Sequence, residues 1–289
     1  MVLPHDPLWP RASSLFNENP EGTYDLALVG VPASRTSITP SGAHNTPAAI
    51  RAALARYSIA HSNSQVDLRT VQIHDAGDVS TPDDNEQRCI EEISHIARRV
   101  KSFIALGGDN SITYSGFQAS GATGLITFDA HYDLRNGVSN GSPVRRLIEA
   151  GLNGKNVVQI GIADFSNSPE YAKRAADFGI TVIPRSELRI QNTADIWKRA
   201  SSIAGDSIYV DFDMDICDRS VVPACPAAAP GGISADEIRQ FAFHAGQSPA
   251  VRAIDITEID STIDSQDQRT IRLAALVVLE FVAGLSTRP

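Results

Sequence analysis

Leu125-Ile-Thr-Phe-Asp-Ala-His-Tyr-Asp133 runs from an apolar segment straight into an acid, an imidazole and a second acid. Ile208-Tyr-Val-Asp-Phe-Asp-Met-Asp-Ile-Cys-Asp218 repeats the pattern further along the chain. In an extended backbone, residues i, i+2 and i+4 share a face. Asp129, His131 and Asp133 then form one polar row, and Asp211, Asp213 and Asp215 another. Phe212, Met214 and Ile216 fall on the opposite side. Carboxylates crowded on one face repel one another and are costly to bury, and a divalent cation relieves both costs. A turn or helix-cap role accounts for one aspartate in such a run, not for two aspartates and a histidine. The two stretches are therefore predicted to be halves of a metal site. Oxygen-rich ligands with a single histidine suit manganese first, with nickel, cobalt and zinc as alternatives. Carboxylates able to bridge suit a two-metal centre that generates a hydroxide nucleophile.

The rest of the chain frames these stretches as strand ends. Apolar runs at 26–31, 71–75, 103–108, 125–129, 157–162, 181–184, 208–213 and 251–257 predict roughly eight strands. Helical spacing fills the intervals, from Pro47 onward and over 85–101, 142–152, 168–178, 193–204, 234–246 and 268–284. Thr46 is the expected N-cap of the first helix, and the last helix, apolar nearly all round, is expected to be buried. Strands alternating with helices imply an α/β fold: a three-layer α/β/α arrangement around a parallel sheet. No composition shift divides the chain, so residues 1–289 are expected to form a single domain, with 1–22 as a surface arm. Function in such sheets lies at the carboxyl ends of the strands. There the two acidic runs meet Gly107-Gly-Asp-Asn110 and Asp255-Ile-Thr-Glu258. Spacing alone marks Glu258 as a solvated or capping residue, and the glycine pair as a tight turn.

The 289 residues are 42% hydrophobic and 20% charged, the profile of a globular protein, and the net charge is -9. That charge argues against nucleic acid or anionic membrane as a partner. No apolar run approaches the length of a membrane span, and the first residues lack a secretory pattern. Three scattered cysteines fit free thiols and a reducing, cytoplasmic setting. Cys217 reads as a small apolar filler, since no second cysteine stands at zinc-like spacing.

Taken together, the stretches resemble the ureohydrolase superfamily: arginase, agmatinase, formimidoylglutamase and relatives. Val29-Gly-Val-Pro32 and Gly42-Ala-His-Asn-Thr-Pro-Ala-Ala-Ile-Arg51 look like its first strand and following helix entry. Gly107-Gly-Asp-Asn-Ser111 is similar to its Gly-Gly-Asp-His-Ser motif. Asp129-Ala-His-Tyr-Asp133 matches Asp-Ala-His-x-Asp in full, and Asp211 to Asp218 resembles Ser-x-Asp-x-Asp-x-x-Asp-Pro. The resemblance implies an arginase-type sheet, commonly assembled as trimers or hexamers, and two manganese ions bridged by hydroxide that attacks an amidine carbon. Carried over, Asp129 and Asp213 would bridge both ions, Asp133 would bind the first, and His131 and Asp215 the second. Asp133 would also pass a proton to the departing amine. Glu258 falls where the family holds the guanidinium or amidine group.

The departures are informative. Asn110 stands at the position of a histidine ligand to the first ion, and an amide oxygen is the weaker ligand, so that ion is expected to bind weakly or not at all. Asp211 replaces a serine and is expected to reach the first ion or a water on it. Arg219 and Cys225-Pro-Ala also differ from the motif and imply a remodelled pocket. Asn140 occupies the place of an arginase histidine, so Asn140 and Ser142 are expected substrate contacts. Asp133-Leu-Arg135 resembles formimidoylglutamases, and Arg135 would hold a carboxylate in bidentate fashion. The expected reaction is hydrolysis of N-formimidoyl-L-glutamate to L-glutamate and formamide, a step of histidine degradation. A guanidino-acid hydrolase releasing urea is the alternative. A metal-depleted, non-catalytic binding or regulatory subunit is the alternative of another class.

Overall fold

Residues 6–19, 21–63 and 65–288 are described by a computed structural model. The first five residues of the predicted arm, and with them the expectation for the chain start, lie outside it. The strands are Phe16–Asn17 (β1), Leu26–Val31 (β2), Ile73–Asp78 (β3), Ser102–Gly107 (β4), Gly124–Phe128 (β5), Val157–Ile162 (β6), Thr181–Pro184 (β7), Ile208–Asp213 (β8) and Val251–Thr257 (β9). They form one nine-stranded sheet in the order β1-β3-β2-β4-β9-β8-β5-β6-β7. Every pairing is parallel. The α/β class is as expected, and the strand count is one higher. The extra strand, β1, lies inside the stretch expected to be a surface arm. Two residues carry no period, so nothing in the sequence marks it. Phe16 and Asn17 pair with Ile73 and His74 at the sheet edge. Ala12 is buried, and its N–H donates to the Tyr57 carbonyl at 2.9 Å.

The helices are Thr46–Leu54 (α1), Glu86–Ala97 (α2), Ile112–Ser120 (α3), Pro143–Glu149 (α4), Pro169–Phe178 (α5), Thr193–Ala204 (α6), Ala235–Gln247 (α7) and Arg269–Leu285 (α8). Four of the eight start where a side chain accepts an otherwise orphaned N–H. Asn85, Ser168 and Asn192 cap α2, α5 and α6, and Ser234 with Glu237 forms a reciprocal capping box on α7. Thr46 departs from its expected role. It is the first helical residue, and its hydroxyl donates to the Ile259 carbonyl at 2.6 Å, tying α1 to the loop after β9.

Alternation along each strand sends residues into two cores. One contains Leu28, Ile104, Phe128, Val210 and Ile256 with side chains of α1, α6, α7 and α8. The other contains Val29, Phe103, Leu125, Tyr209 and Ala253 with side chains of α2, α3, α4 and α5. Helix α8 is buried along nearly its whole length, as its composition demands. It approaches α7 so closely that a Cβ at Gly284 would stand 2.2 Å from the Phe243 carbonyl, so only glycine fits that crossing.

On the α2–α5 side the sheet is not wholly apolar. Register aligns Gln159, Thr127, Asp211 and Asp255 in one row across β6, β5, β8 and β9. Two residues further along each chain, at the carboxyl ends, come Asp129, Asp213 and Thr257. The acidic face thus has a rim layer and a deeper layer, and only the rim opens to the surface.

Candidate metal centre and substrate cleft

A cleft of about 540 Å³ opens over the carboxyl ends of β5 and β8. Its floor includes His131, Asp133, Asp213, Asp215 and Glu258, and its walls include Ile38, Arg135, Asn140, Phe165, Asn167 and Tyr171. Ligand atoms of Asp129, His131 and Asp215 lie within 4.8 Å of one another. His131 Nδ1 is 2.9 Å from Asp215 Oδ2 and 3.5 Å from Asp129 Oδ1. Backbone N–H groups fix the carboxylates. His131 N donates to Asp129 Oδ1 (2.6 Å), Ala130 N to Asp215 Oδ1 (3.2 Å) and Asp215 N to Asp213 Oδ1 (2.9 Å). Asp129 Oδ2 is buried with no partner. An orphaned carboxylate oxygen among five oxygen or nitrogen ligands fits a hard divalent cation and nothing apolar.

The electrostatics say the same. Burial pushes Asp129 up to about 6, with Asp215 adding to it and His131 opposing. Burial holds Asp133 and Asp213 well above the ordinary carboxylate range, reinforced by Asp129 for the first and Asp215 for the second. Burial alone would lower His131, but the Asp215 and Asp129 carboxylates outweigh it and raise the imidazole to about 12. Burial opposes the ionisation of Asp215, and His131 overcomes it, so that carboxyl stays low. A cation supplies the charge that all these groups lack.

Carboxyls raised above their unfolded values keep protons in the folded chain that the unfolded chain has released. Asp129 and Asp255 do so up to about 6 and Glu258 up to about 7, while His131 keeps its proton up to about 12. Asp215 has the opposite sign, but its window lies below its ordinary value of 3.8. The folded chain thus binds the more protons between about pH 5 and about pH 8, so stability falls as pH rises there. The melting temperature of chelator-treated protein should drop by several degrees across that range, and a divalent cation should abolish the drop. A flat profile in chelator would contradict this account.

Asn110 lies on the first turn after β4. Its Nδ2 is 2.5 Å from Asp133 Oδ2, and its backbone N–H donates to Glu258 Oε1 at 2.7 Å. Asn140 Nδ2 donates to the same Oε1 at 2.9 Å, which leaves Glu258 Oε2 for the cleft. Burial raises Glu258 to about 7, against the hydrogen bond from Asn140. Asp133 and Glu258 adopt φ of 53° and 62°, in the left-handed region that residues other than glycine rarely occupy. Such strain persists only where the surroundings over-determine it, and it gathers at functional sites.

Two predicted roles are not matched by position. Asp211 does not face the cleft. It sits one strand repeat below Asp213, fully buried, against Asp255, with Thr257 Oγ1 at 3.5 Å. Asp211 Oδ2 and Asp255 Oδ1 are buried with no hydrogen-bond partner, and burial, reinforced by Asp255, holds Asp211 well above the ordinary carboxylate range. Sharing a face with Asp213 did not bring Asp211 to the rim, because the face is two layers deep. Ser142 is buried too. Its Oγ donates to the Ser139 carbonyl (2.8 Å) and accepts from the Ser139 N–H (3.0 Å), closing the turn that presents Asn140. Asn140 and Arg135 do line the cleft. Asp218 turns away and accepts from the backbone of Ser220 and Gly231. Arg219 donates to the Cys225 and Pro226 carbonyls at 2.7 and 3.0 Å and so shapes the wall at Pro226.

Two further features had no signal in the sequence. Asn167 accepts from Tyr132 N at 3.1 Å and donates to the Ala130 carbonyl at 2.9 Å, clamping the backbone on both sides of His131. Phe165, at φ 64° and fully exposed, stands at the cleft mouth. Only its sequence distance from β6 was available as a signal, and that does not say which loop folds over which strand.

Comparison with known proteins agrees with this geometry. Formimidoylglutamase of Halalkalibacterium halodurans is 38% identical over 277 residues, covering 90% of this chain and 86% of that one. The crystal structure of formimidoylglutamase from Bacillus subtilis superposes with a TM-score of 0.92 at 31% identity, covering 100% of this chain and 95% of that one. A Trypanosoma cruzi formiminoglutamase solved with Mn2+ superposes with a TM-score of 0.91 at 27% identity, covering 97% and 100%. Residues 24–284 match the arginase family, and with this fold and this ring of carboxylates around His131 the chain belongs to it.

Proposed function

We propose that this protein is a manganese-dependent formimidoylglutamase, hydrolysing N-formimidoyl-L-glutamate to L-glutamate and formamide in histidine degradation. The observation that carries the reading is the polarity of the cleft. A buried carboxylate, Glu258, and a rim guanidinium, Arg135, line the same cavity as the metal-ligand set. The substrate has the complementary polarity, a cationic amidine at one end and two carboxylates at the other. The formimidoylglutamase relatives support the same choice.

Asp129 and Asp213 would bridge two Mn2+ ions, Asp133 with Asn110 would hold the first, and His131 with Asp215 the second. When bound, the ions supply a water nucleophile at neutral pH and stabilise developing negative charge. Glu258 Oε2 holds the amidinium by a charge-assisted hydrogen bond, and Asn140 steers that carboxylate. Arg135 binds a substrate carboxylate at the rim. Asp133, kept prone to protonation by burial, moves a proton to the leaving glutamate nitrogen. Residues 1–289 act as one catalytic domain, assembled as a trimer or hexamer in the cytoplasm. Three buried free cysteines support a reducing compartment. Light scattering should give three or six times the 31.0 kDa chain mass.

The deciding experiment offers the manganese-loaded protein formimidoylglutamate, arginine, guanidinobutyrate and agmatine, and measures formamide, ammonia and urea. Formamide from the first is expected. Urea from a guanidino acid without turnover of formimidoylglutamate would replace the reading, and an inert, metal-free protein would favour a binding subunit. Arg135→Ala should raise KM for formimidoylglutamate by about tenfold or more with little change in kcat, the mark of binding shared by ground and transition states. An unchanged KM would remove Arg135 from the site.

A further inference from the structure

Two buried hydroxyls reach the amide of Asn110. Thr113 Oγ1, on the first turn of α3, lies 2.7 Å from Asn110 Oδ1 and 2.8 Å from Asp255 Oδ2. Thr257 Oγ1, at the end of β9, lies 3.0 Å from Asn110 Oδ1 and 3.5 Å from Asp211 Oδ1. Each hydroxyl has one proton to give and lone pairs to offer. Tyr209 donates its own to Asp255 Oδ2 at 2.9 Å, so this carboxyl is already built as an acceptor. Asp255 and Asp211 are fully buried, and a buried carboxyl short of donors costs more than a neutral amide in the same position. As placed, both hydroxyls donate to Asn110 Oδ1; were Thr113 to give its proton to Asp255 Oδ2 at 2.8 Å, and Thr257 to turn its own toward Asp211, each hydroxyl would offer a lone pair to Asn110 instead. Two lone pairs match the two hydrogens of an amide NH2 and repel an amide oxygen. The two ends of a carboxamide are nearly identical in shape, and their partners decide which end is which.

We propose that Thr113 and Thr257, backed by Asp255 and Asp211, form a buried frame that draws the amide nitrogen of Asn110 inward and presents its oxygen beside Asp133 as a ligand for the first ion. The proposal rests on the two-ion reading above. The amide end that faces Asp133, placed as Nδ2, is 2.5 Å from Oδ2, and the proposal reverses the two ends. With oxygen at that end two acceptors meet, an arrangement that a shared cation satisfies. Thr113 and Thr257 are positioning residues in this scheme. Asp211 acts on the first ion at one remove, through Thr257 and Asn110, which gives its buried carboxyl a use that direct ligation does not.

The test titrates Mn2+ into the parent and into Thr113→Val, Thr113→Ser and Thr257→Val by calorimetry. Electron paramagnetic resonance distinguishes coupled ion pairs from single ions. Valine keeps the shape of threonine and loses the hydroxyl. The parent and Thr113→Ser should bind two ions with a coupled spectrum. Thr113→Val should hold the second ion unchanged and bind the first about tenfold more weakly or worse, the usual effect of removing a group that orients a ligand. Thr257→Val should shift the first ion in the same direction. Folded valine variants whose two affinities stay within about twofold of the parent would overturn the frame alone. A parent that binds a single ion would overturn the two-ion reading and the frame with it. Neutron diffraction from parent crystals containing Mn2+ reads the amide without any substitution. Deuterons facing Thr113 and Thr257 support the frame, and deuterons facing Asp133 overturn it.

Discussion

Asp133→Asn should lower kcat for formimidoylglutamate by about a thousandfold, within the range expected for loss of a positioned acid–base group. The substitution removes charge and proton capacity and almost nothing else. Asparagine tolerates the left-handed φ of 53° better than most residues, and it fits the same space. The folded structure and its melting behaviour should therefore survive. Two losses combine at this position. In the proposed mechanism the first ion would lose an anionic ligand, and the leaving glutamate nitrogen its proton source. Measuring kcat at saturating manganese separates them, because excess metal restores occupancy and not proton transfer. A loss below about tenfold under those conditions would take Asp133 out of the chemistry.

Glu258→Gln should reduce kcat/KM by about a hundredfold to a thousandfold, mostly through KM. In the proposed reading Glu258 meets the amidinium, and breaking a buried charge pair by neutralising one partner costs about 3–5 kcal/mol. Glutamine can still accept from the Asn110 N–H and from Asn140, which now hold Oε1 at 2.7 and 2.9 Å, so the loop keeps its shape. Manganese affinity should change little, which distinguishes a substrate residue from a ligand. Steady-state kinetics alongside metal titration check both halves. A full-strength KM in the variant would place the amidinium elsewhere in the cleft.

Different parts of this site were legible to different degrees. Asp129, His131, Asp133, Asp213 and Asp215 could be read directly, because a strand enforces a two-residue period and an apolar run announces the strand. Their convergence needs only that β5 and β8 be neighbours, and they are. Glu258 was ambiguous, since a single acid at a strand end has many uses. The Asn110 N–H and the Asn140 amide, both donating to its Oε1, single it out only in three dimensions. Asp211 and Ser142 show the reverse error. Period assigns a face to Asp211 but not a depth along it, and proximity to Asn140 does not tell a contact from a buttress.

By itself, the sequence determined the α/β class, the strand ends that carry chemistry and the chemical character of the ligand set, because these follow from local period and residue type. Only the tertiary structure decided the rest. It placed β9 between β4 and β8, so that Asp255 lies against Asp211 and Thr257 against Asn110. It folded the 165–168 loop over His131, and it brought Thr113 and Thr257 against both the Asn110 amide and the buried carboxyls. Those outcomes depend on which groups share a low-dielectric space, and residues about a hundred positions apart acquire that relation only when the sheet is assembled.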